Sequence, residues 1–159
     1  MNKAQLLKRL SESWDEFRAS YAGLSEAEMV VLGVSGEWSI KDVIAHVTTW
    51  EQEALKYLPV ILEGKKPPRY SVAYGGIDAF NALMYRRKRA LSLQEILQQQ
   101  ERVHRQLLEY LNEVGEDQFA RQTKFHRRLR LDTYQHYREH AEAIRKWREQ
   151  RLMMNDGEC

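Results

Sequence analysis

The sequence predicts an all-α protein built as a bundle of four long helices. Three observations carry that expectation. Four stretches repeat apolar side chains at three- and four-residue steps, the period of one helix face. Serines stand three residues ahead of an acidic residue at Ser25/Glu28, Ser39/Asp42 and Ser92/Glu95, the pattern of a helix-opening capping box. The chain of 159 residues is 43% hydrophobic and 30% charged, a globular balance rich in strong helix formers.

In the first helix Leu6, Leu7, Leu10, Trp14, Phe17 and Tyr21 share a face, and Gly23 stops it. Ser25 and Glu28 then open a short turn. The second helix starts at Ser39, with Ile40, Val43, Val47, Trp50, Ala54 and Tyr57 as its inward stripe. Pro59, which lacks an N–H, is expected to kink this helix or end it near Leu58. Gly64 to Gly76, with Pro67 and Pro68, reads as loop. That connection exceeds the roughly 2–8 residues usual between bundle helices. A short helix from about Asp78 to Arg89 fills part of the crossover, and a long crossover lets the second and third helices run parallel.

The third helix opens at Ser92 and carries Leu93, Ile96, Leu97, Val103, Leu107, Leu108 and Leu111, ending at Gly115. Glu116 to Arg130 is polar and basic without a clear period; a turn near Phe119 and an extended piece at Leu129 to Leu131 are expected. The fourth helix spans about Asp132 to Leu152, with His136, His140, Ala143, Ile144 and Trp147 inward. One domain over residues 1–152 and a flexible tail over 153–159, frayed from Asn155, complete the organisation.

Twenty-five basic residues against 23 acidic give a net charge of +2, too near balance to point to nucleic acid. Two basic runs, Arg86 to Arg89 and Arg121 to Arg130, read as a solvated face and a solvated loop. They lack the interleaved aromatic residues of a single-strand binder. The lone cysteine, Cys159, allows no intrachain disulfide. No secretory run opens the sequence, and no stretch reaches the roughly 18 apolar residues of a membrane span. The expectation is a cytoplasmic protein with no membrane partner.

The chemistry sits on histidines. His136 and His140 are four residues apart, which on a helix places them on one face at roughly 5–6 Å between Cβ atoms. Two imidazoles at that spacing can grip one metal ion. A third ligand must come from elsewhere, and His46, between Val43 and Trp50 on the second helix, is the candidate. Three histidines leave a coordination position open, as in a catalytic rather than a structural site. Each also fits the plainer role of a hydrogen-bonded core residue. His104 has no partner at ligand spacing and reads as structural; His126 reads as exposed. Trp14, Trp50 and Trp147 read as core, Trp38 as a hydrophobic staple, and Tyr134 or Tyr137 as a pocket wall. No phosphate-binding glycine loop or nucleophile elbow is present.

The stretch Glu37-Trp38-Ser39-Ile40-Lys41-Asp42-Val43-Ile44-Ala45-His46, running on to Trp50-Glu51, resembles the second-helix signature of DinB-like (DinB/YfiT) proteins. Thr133-Tyr134-Gln135-His136-Tyr137-Arg138-Glu139-His140, continuing to Ile144, resembles their fourth-helix signature. Ile77-Asp78-Ala79-Phe80-Asn81 and Ser92-Leu93-Gln94-Glu95 are similar to the ClbS/DfsB branch. The resemblance implies a four-helix bundle with up-down-down-up connectivity and a long crossover between helices 2 and 3. It also implies a histidine triad of His46, His136 and His140 holding zinc or nickel, and a homodimer. Characterised relatives include thiol-dependent transferases and isomerases, and ClbS-like members protect against a DNA-damaging electrophile. One departure stands out: many such proteins follow the last histidine with Arg-Gly-Gln-Ile, where this chain has Ala141-Glu142-Ala143-Ile144.

Two functions follow. The first is a metal-dependent enzyme, a hydrolase or thiol S-transferase, that acts on a small electrophilic molecule. The metal, Zn2+ or Ni2+, activates water or a low-molecular-weight thiol. Asp42, one turn before His46, is a candidate to orient its imidazole, and Glu53, two turns after, a candidate base; both also fit as surface carboxylates. The alternative is a non-catalytic, dimeric bundle that binds a metal or ligand. Nucleic acid is not expected as a partner.

Overall fold

The computed structural model describes residues 1–156. Four long helices form the bundle: α1 (Lys3–Ser20), α3 (Ile40–Leu62), α6 (Leu93–Glu113) and α8 (Tyr134–Asp156). Short helices α2 (Glu26–Met29), α4 (Tyr70–Ala73), α5 (Ile77–Lys88) and α7 (Lys124–Asp132) and a 3-10 turn (Glu116–Phe119) join them. Among the described residues there is no strand, only an isolated bridge between Ser35 and Trp38. No described helix is long and apolar enough to cross a membrane.

Local chemistry starts the helices where the sequence indicates. Ser25, Ser39 and Ser92 each accept from the backbone N–H three residues on, and the side chains of Glu28, Asp42 and Glu95 bond back to the serine N–H. The Ser39 cap is buried, its hydroxyl 2.9 Å from Asp42 Oδ2. Ser39→Ala is expected to lower stability by about 1 kcal/mol, the usual cost of losing an N-cap, read as a lower urea midpoint at unchanged slope.

Packing then selects the faces. α1 lies along α8, α3 lies along α6, and α7 is wedged between α3 and α8. Leu6, Leu10 and Phe17 of α1 are fully buried, as are Ile40, Ile44, Ala54 and Leu58 of α3 and Ile96, Leu107 and Leu111 of α6. Cations from neighbouring helices bind exposed C-terminal carbonyls: Lys3 caps the end of α6 through Asn112 and Val114, and Arg148 caps the end of α1 through Ser20 and Ala22.

Several expectations need correction. α3 runs through Pro59 to Leu62. The proline leaves the Leu55 carbonyl without its helical N–H, and Gly64 (φ 76) then closes the helix, with Gly64 N–H on Ile61 and Lys65 N–H on Val60. The Gly64–Gly76 connection holds the turn of helix α4. The piece expected to be extended at Leu129 to Leu131 is helical, part of α7. Its narrow buried face is Phe125, His126, Leu129 and Asp132, opened by a Thr123 cap; the four cations Lys124, Arg127, Arg128 and Arg130 hide that period. α8 buries Tyr137, Ala141 and Ile144, while Ala143 and Trp147 are half-buried. α8 also continues to Asp156, past the expected limit at Leu152; residues 157–159 of the expected tail lie outside the described residues.

Candidate metal centre

α3 presents Val43, Ile44 and Val47 to the core, which leaves His46 at the margin of that stripe, facing α5 and α8. His136 and His140 occupy the first two turns of α8. That helix begins after a backbone break at Thr133 (φ −127, ψ −103), where the chain turns out of α7. Thr133 Oγ1 donates to the Leu129 carbonyl at 2.5 Å and holds the turn.

The three rings converge. His136 Nε2 lies 3.0 Å from His46 Nε2 and 3.0 Å from His140 Nε2. Each ring offers a ligand nitrogen within 4.8 Å of the others. Nitrogens bound at about 2.0–2.1 Å around a tetrahedral zinc stand roughly 3.3 Å apart, so these spacings suit a shared cation with little movement.

Hydrogen bonding alone does not satisfy the cluster. For His136 Nε2 to accept from both neighbours, its Nδ1 must carry the proton, yet among the described residues that buried Nδ1 has no partner. If Nε2 carries the proton instead, it can donate to only one neighbour. Protonation is also opposed. Burial, with the charges of His140 and Lys88 adding to it, pushes His46 down to about 3. Burial, then His140 and His46, pushes His136 to about 2, and burial takes His140 to about 4. Three neutral imidazoles with converging lone pairs are a ligand set for a borderline-soft divalent ion such as zinc or nickel. The donor set therefore fits the metal that the sequence suggests.

Space differs on the two sides. Behind His46, toward α5, a cavity of about 10 Å³ is closed by Trp38, Tyr85 and Lys88. In front, a cleft of about 430 Å³ opens beside His46 and His136, with Trp50, Tyr70, Arg128 and Asp132 on its walls. Pockets for small molecules run from roughly 300 to 1,000 Å³. Asn81 Oδ1 accepts from Trp50 Nε1 at 3.0 Å, which fixes the indole.

The other sequence candidates are placed as follows. Asp42 is committed to the Ser39 cap and makes no bond to His46. Glu53 is buried and accepts from the Tyr70 hydroxyl at 3.0 Å, so it is a clamp on Tyr70 rather than a surface carboxylate. His104 is structural as expected but does have a partner, buried Glu51, 2.7 Å from its Nδ1. His126 is buried, not exposed: its Nδ1–H donates to the Phe119 carbonyl and its Nε2 accepts from Tyr134. Tyr137 belongs to the core, and its hydroxyl donates to Glu51. Trp38 lies with its ring centre 4.8 Å from that of His46 and stacks on Tyr85.

Sequence reasoning missed Tyr70, Arg128 and Asp132. Arg128 sat unnoticed in a run of exposed cations, although its i,i+4 spacing to Asp132 is a pairing signal. Lys88 is likewise no solvated cation. It donates to Gln52 at 2.9 Å, and burial lowers it to about 8.

A model of the DinB superfamily matches residues 4–150. No curated protein matches the chain. Among solved structures, one titled sibling lethal factor precursor, DfsB, is 17% identical, with a TM-score of 0.78 over 95% of this chain and 97% of its own. An uncharacterised protein from Escherichia coli UTI89 gives 15% and 0.79 over 95% of each chain. The colibactin self-resistance protein ClbS, solved in complex with a dsDNA, gives 13% and 0.76 over 91% of this chain and 94% of its own. At these identities the likeness speaks for the fold. With the family match across nearly its full length, the chain belongs to the DinB superfamily and has the helical-bundle fold of its ClbS/DfsB type.

Proposed function

We propose that this protein is a metal-dependent enzyme that acts on a small electrophilic molecule by hydrolysis or thiol transfer. One observation carries the reading: three neutral, largely buried imidazoles converge beside a ligand-sized cleft. His46, His136 and His140 would hold a divalent ion, which when bound would supply an activated nucleophile by bringing the pKa of water to about 7 or deprotonating a thiol. The chain's own residues would hold that ion, leaving a cavity of about 10 Å³ on the α5 side and the larger cleft of about 430 Å³ on the other. Trp50 and Tyr70 offer flat apolar walls to the substrate. Asp42 and Glu53 have no part in the chemistry, because a helix cap and Tyr70 engage them.

Nucleic acid has no role in this reading. The net charge of +2 is near balance, and the two basic runs lack interleaved aromatic residues on which bases could stack. The family resemblance supports a homodimer, and light scattering on the purified protein checks the assembly.

The test is elemental analysis of purified protein and of His140→Ala, with both assayed for hydrolysis of 4-nitrophenyl acetate and for thiol transfer to 1-chloro-2,4-dinitrobenzene. Wild type is expected to hold zinc or nickel that the variant loses, together with turnover. Equal metal in both samples removes the site. Metal without turnover on any thiol and electrophile pairing favours the non-catalytic, ligand-binding bundle.

A further inference from the structure

The cleft holds one arginine fixed in place by three neighbours, Asp132, Tyr70 and Tyr57. Arg128 Nε donates to Asp132 Oδ2 at 2.6 Å, and its Nη2 donates to the Tyr70 hydroxyl at 2.7 Å. Its guanidinium carbon lies 5.4 Å from the Tyr57 ring centre and 5.7 Å from that of Tyr70. Tyr70 is itself held, donating to Glu53 at 3.0 Å. The side chain is 15% exposed, and Nη1 makes no hydrogen bond among the described residues. A guanidinium whose rotamer is already fixed, with unused N–H groups facing a ligand-sized cleft, binds a planar oxyanion without a further ordering cost.

We propose that Arg128 anchors the carboxylate of a small monoanionic ligand whose body lies against Trp50 and Tyr70 and whose far end reaches His46 and His136. This rests on the reading of the triad as a metal-dependent active site and adds the substrate class. Charge decides for a monoanion. Arg128, Asp132 and Glu139 leave the lining one charge negative, and a divalent ion at the histidines makes the whole one charge positive. A phosphate dianion would meet both carboxylates. The apolar side chains of Ile77 and Leu131 at the same cleft suit an unsaturated or aromatic body rather than a sugar.

Benzoate is the probe, titrated by NMR into the purified protein with its metal content measured on the same sample. The comparison is with Arg128→Lys and with Arg128→Gln combined with Asp132→Asn. The double variant keeps the cleft's net charge and leaves no lone buried carboxylate. Benzoate is expected to bind wild type and to lose about tenfold or more in affinity in the double variant, as for loss of a charged hydrogen bond, with metal content unchanged. Arg128→Lys, which keeps the charge over Asp132 but not the fork, is expected to bind several-fold more weakly. This variant decides the matter if the double variant does not fold. Benzoate affinity equal to wild type in these variants, or no binding to wild type, overturns the anchor. Wild type without metal but with the Arg128-dependent loss intact removes the enzyme reading and leaves the anchor standing.

Discussion

Zinc added to metal-stripped protein is expected to raise the melting temperature by roughly 8–16 °C. A ligand that binds only the folded state, at a thousandfold over its Kd, stabilises by about 4 kcal/mol. For a chain of this size each kcal/mol moves the midpoint by about 2–4 °C. Differential scanning calorimetry of wild type and His136→Ala checks it, and an equal shift in both proteins would show that zinc binds elsewhere. The response to acid is a second signature. Burial holds His46, His136 and His140 at about 3, 2 and 4, below the roughly 6.5 of an unfolded histidine. Their folded pKa values are depressed, so the unfolded chain takes up protons first as pH falls. Stability of the metal-free protein is therefore full above about pH 6.5 and declines below it. At pH 5 the folded imidazoles are still unprotonated, so the zinc-induced shift persists there, whereas a site of ordinary exposed histidines would have lost it.

His104→Ala is expected to destabilise the bundle by roughly 1–3 kcal/mol, the cost of leaving a buried hydrogen-bonding group without its partner. Glu51 is fully buried on α3. Its Oε2 meets His104 Nδ1 at 2.7 Å and the Tyr137 hydroxyl at 3.0 Å, while its Oε1 has no partner among the described residues. Burial pushes the carboxyl up, and His104 and Tyr137 only partly offset that. The histidine also stacks on Trp14, with ring centres 3.7 Å apart and planes 7° apart. Its removal therefore takes away both a polar partner and packing between α1, α3 and α6. Replacing the pair together, Glu51→Met with His104→Leu, is expected to cost much less, because no lone buried carboxyl remains. Urea denaturation of the single and double variants measures the difference. A single variant within about 1 kcal/mol of wild type would mean that the pair contributes little beyond surface-like strength.

Parts of this architecture are local and were legible without coordinates. A capping serine with its acidic partner three residues on acts within one turn, so the starts of α2, α3 and α6 can be read directly from Ser25, Ser39 and Ser92. The pair His136 and His140 is equally local, since four residues along a helix return to one face. α7 was not legible, because its apolar face is only two side chains wide within a basic stretch. The Gly64–Gly76 composition hid α4 for a similar reason: one helical turn is too short to show a period.

By itself the sequence determined that there are four long amphipathic helices, where most of them start, and that two histidines share a face. Only the tertiary structure decided which faces meet. Hydrophobic periodicity sets the direction of a stripe but not the rotation of one helix against another, and residues far apart in the chain leave no mutual trace. It took packing to bring His46 to His136 across 90 residues, Glu51 to His104 across 53 and Tyr70 to Arg128 across 58. The cleft and its chemistry arise from those distant meetings.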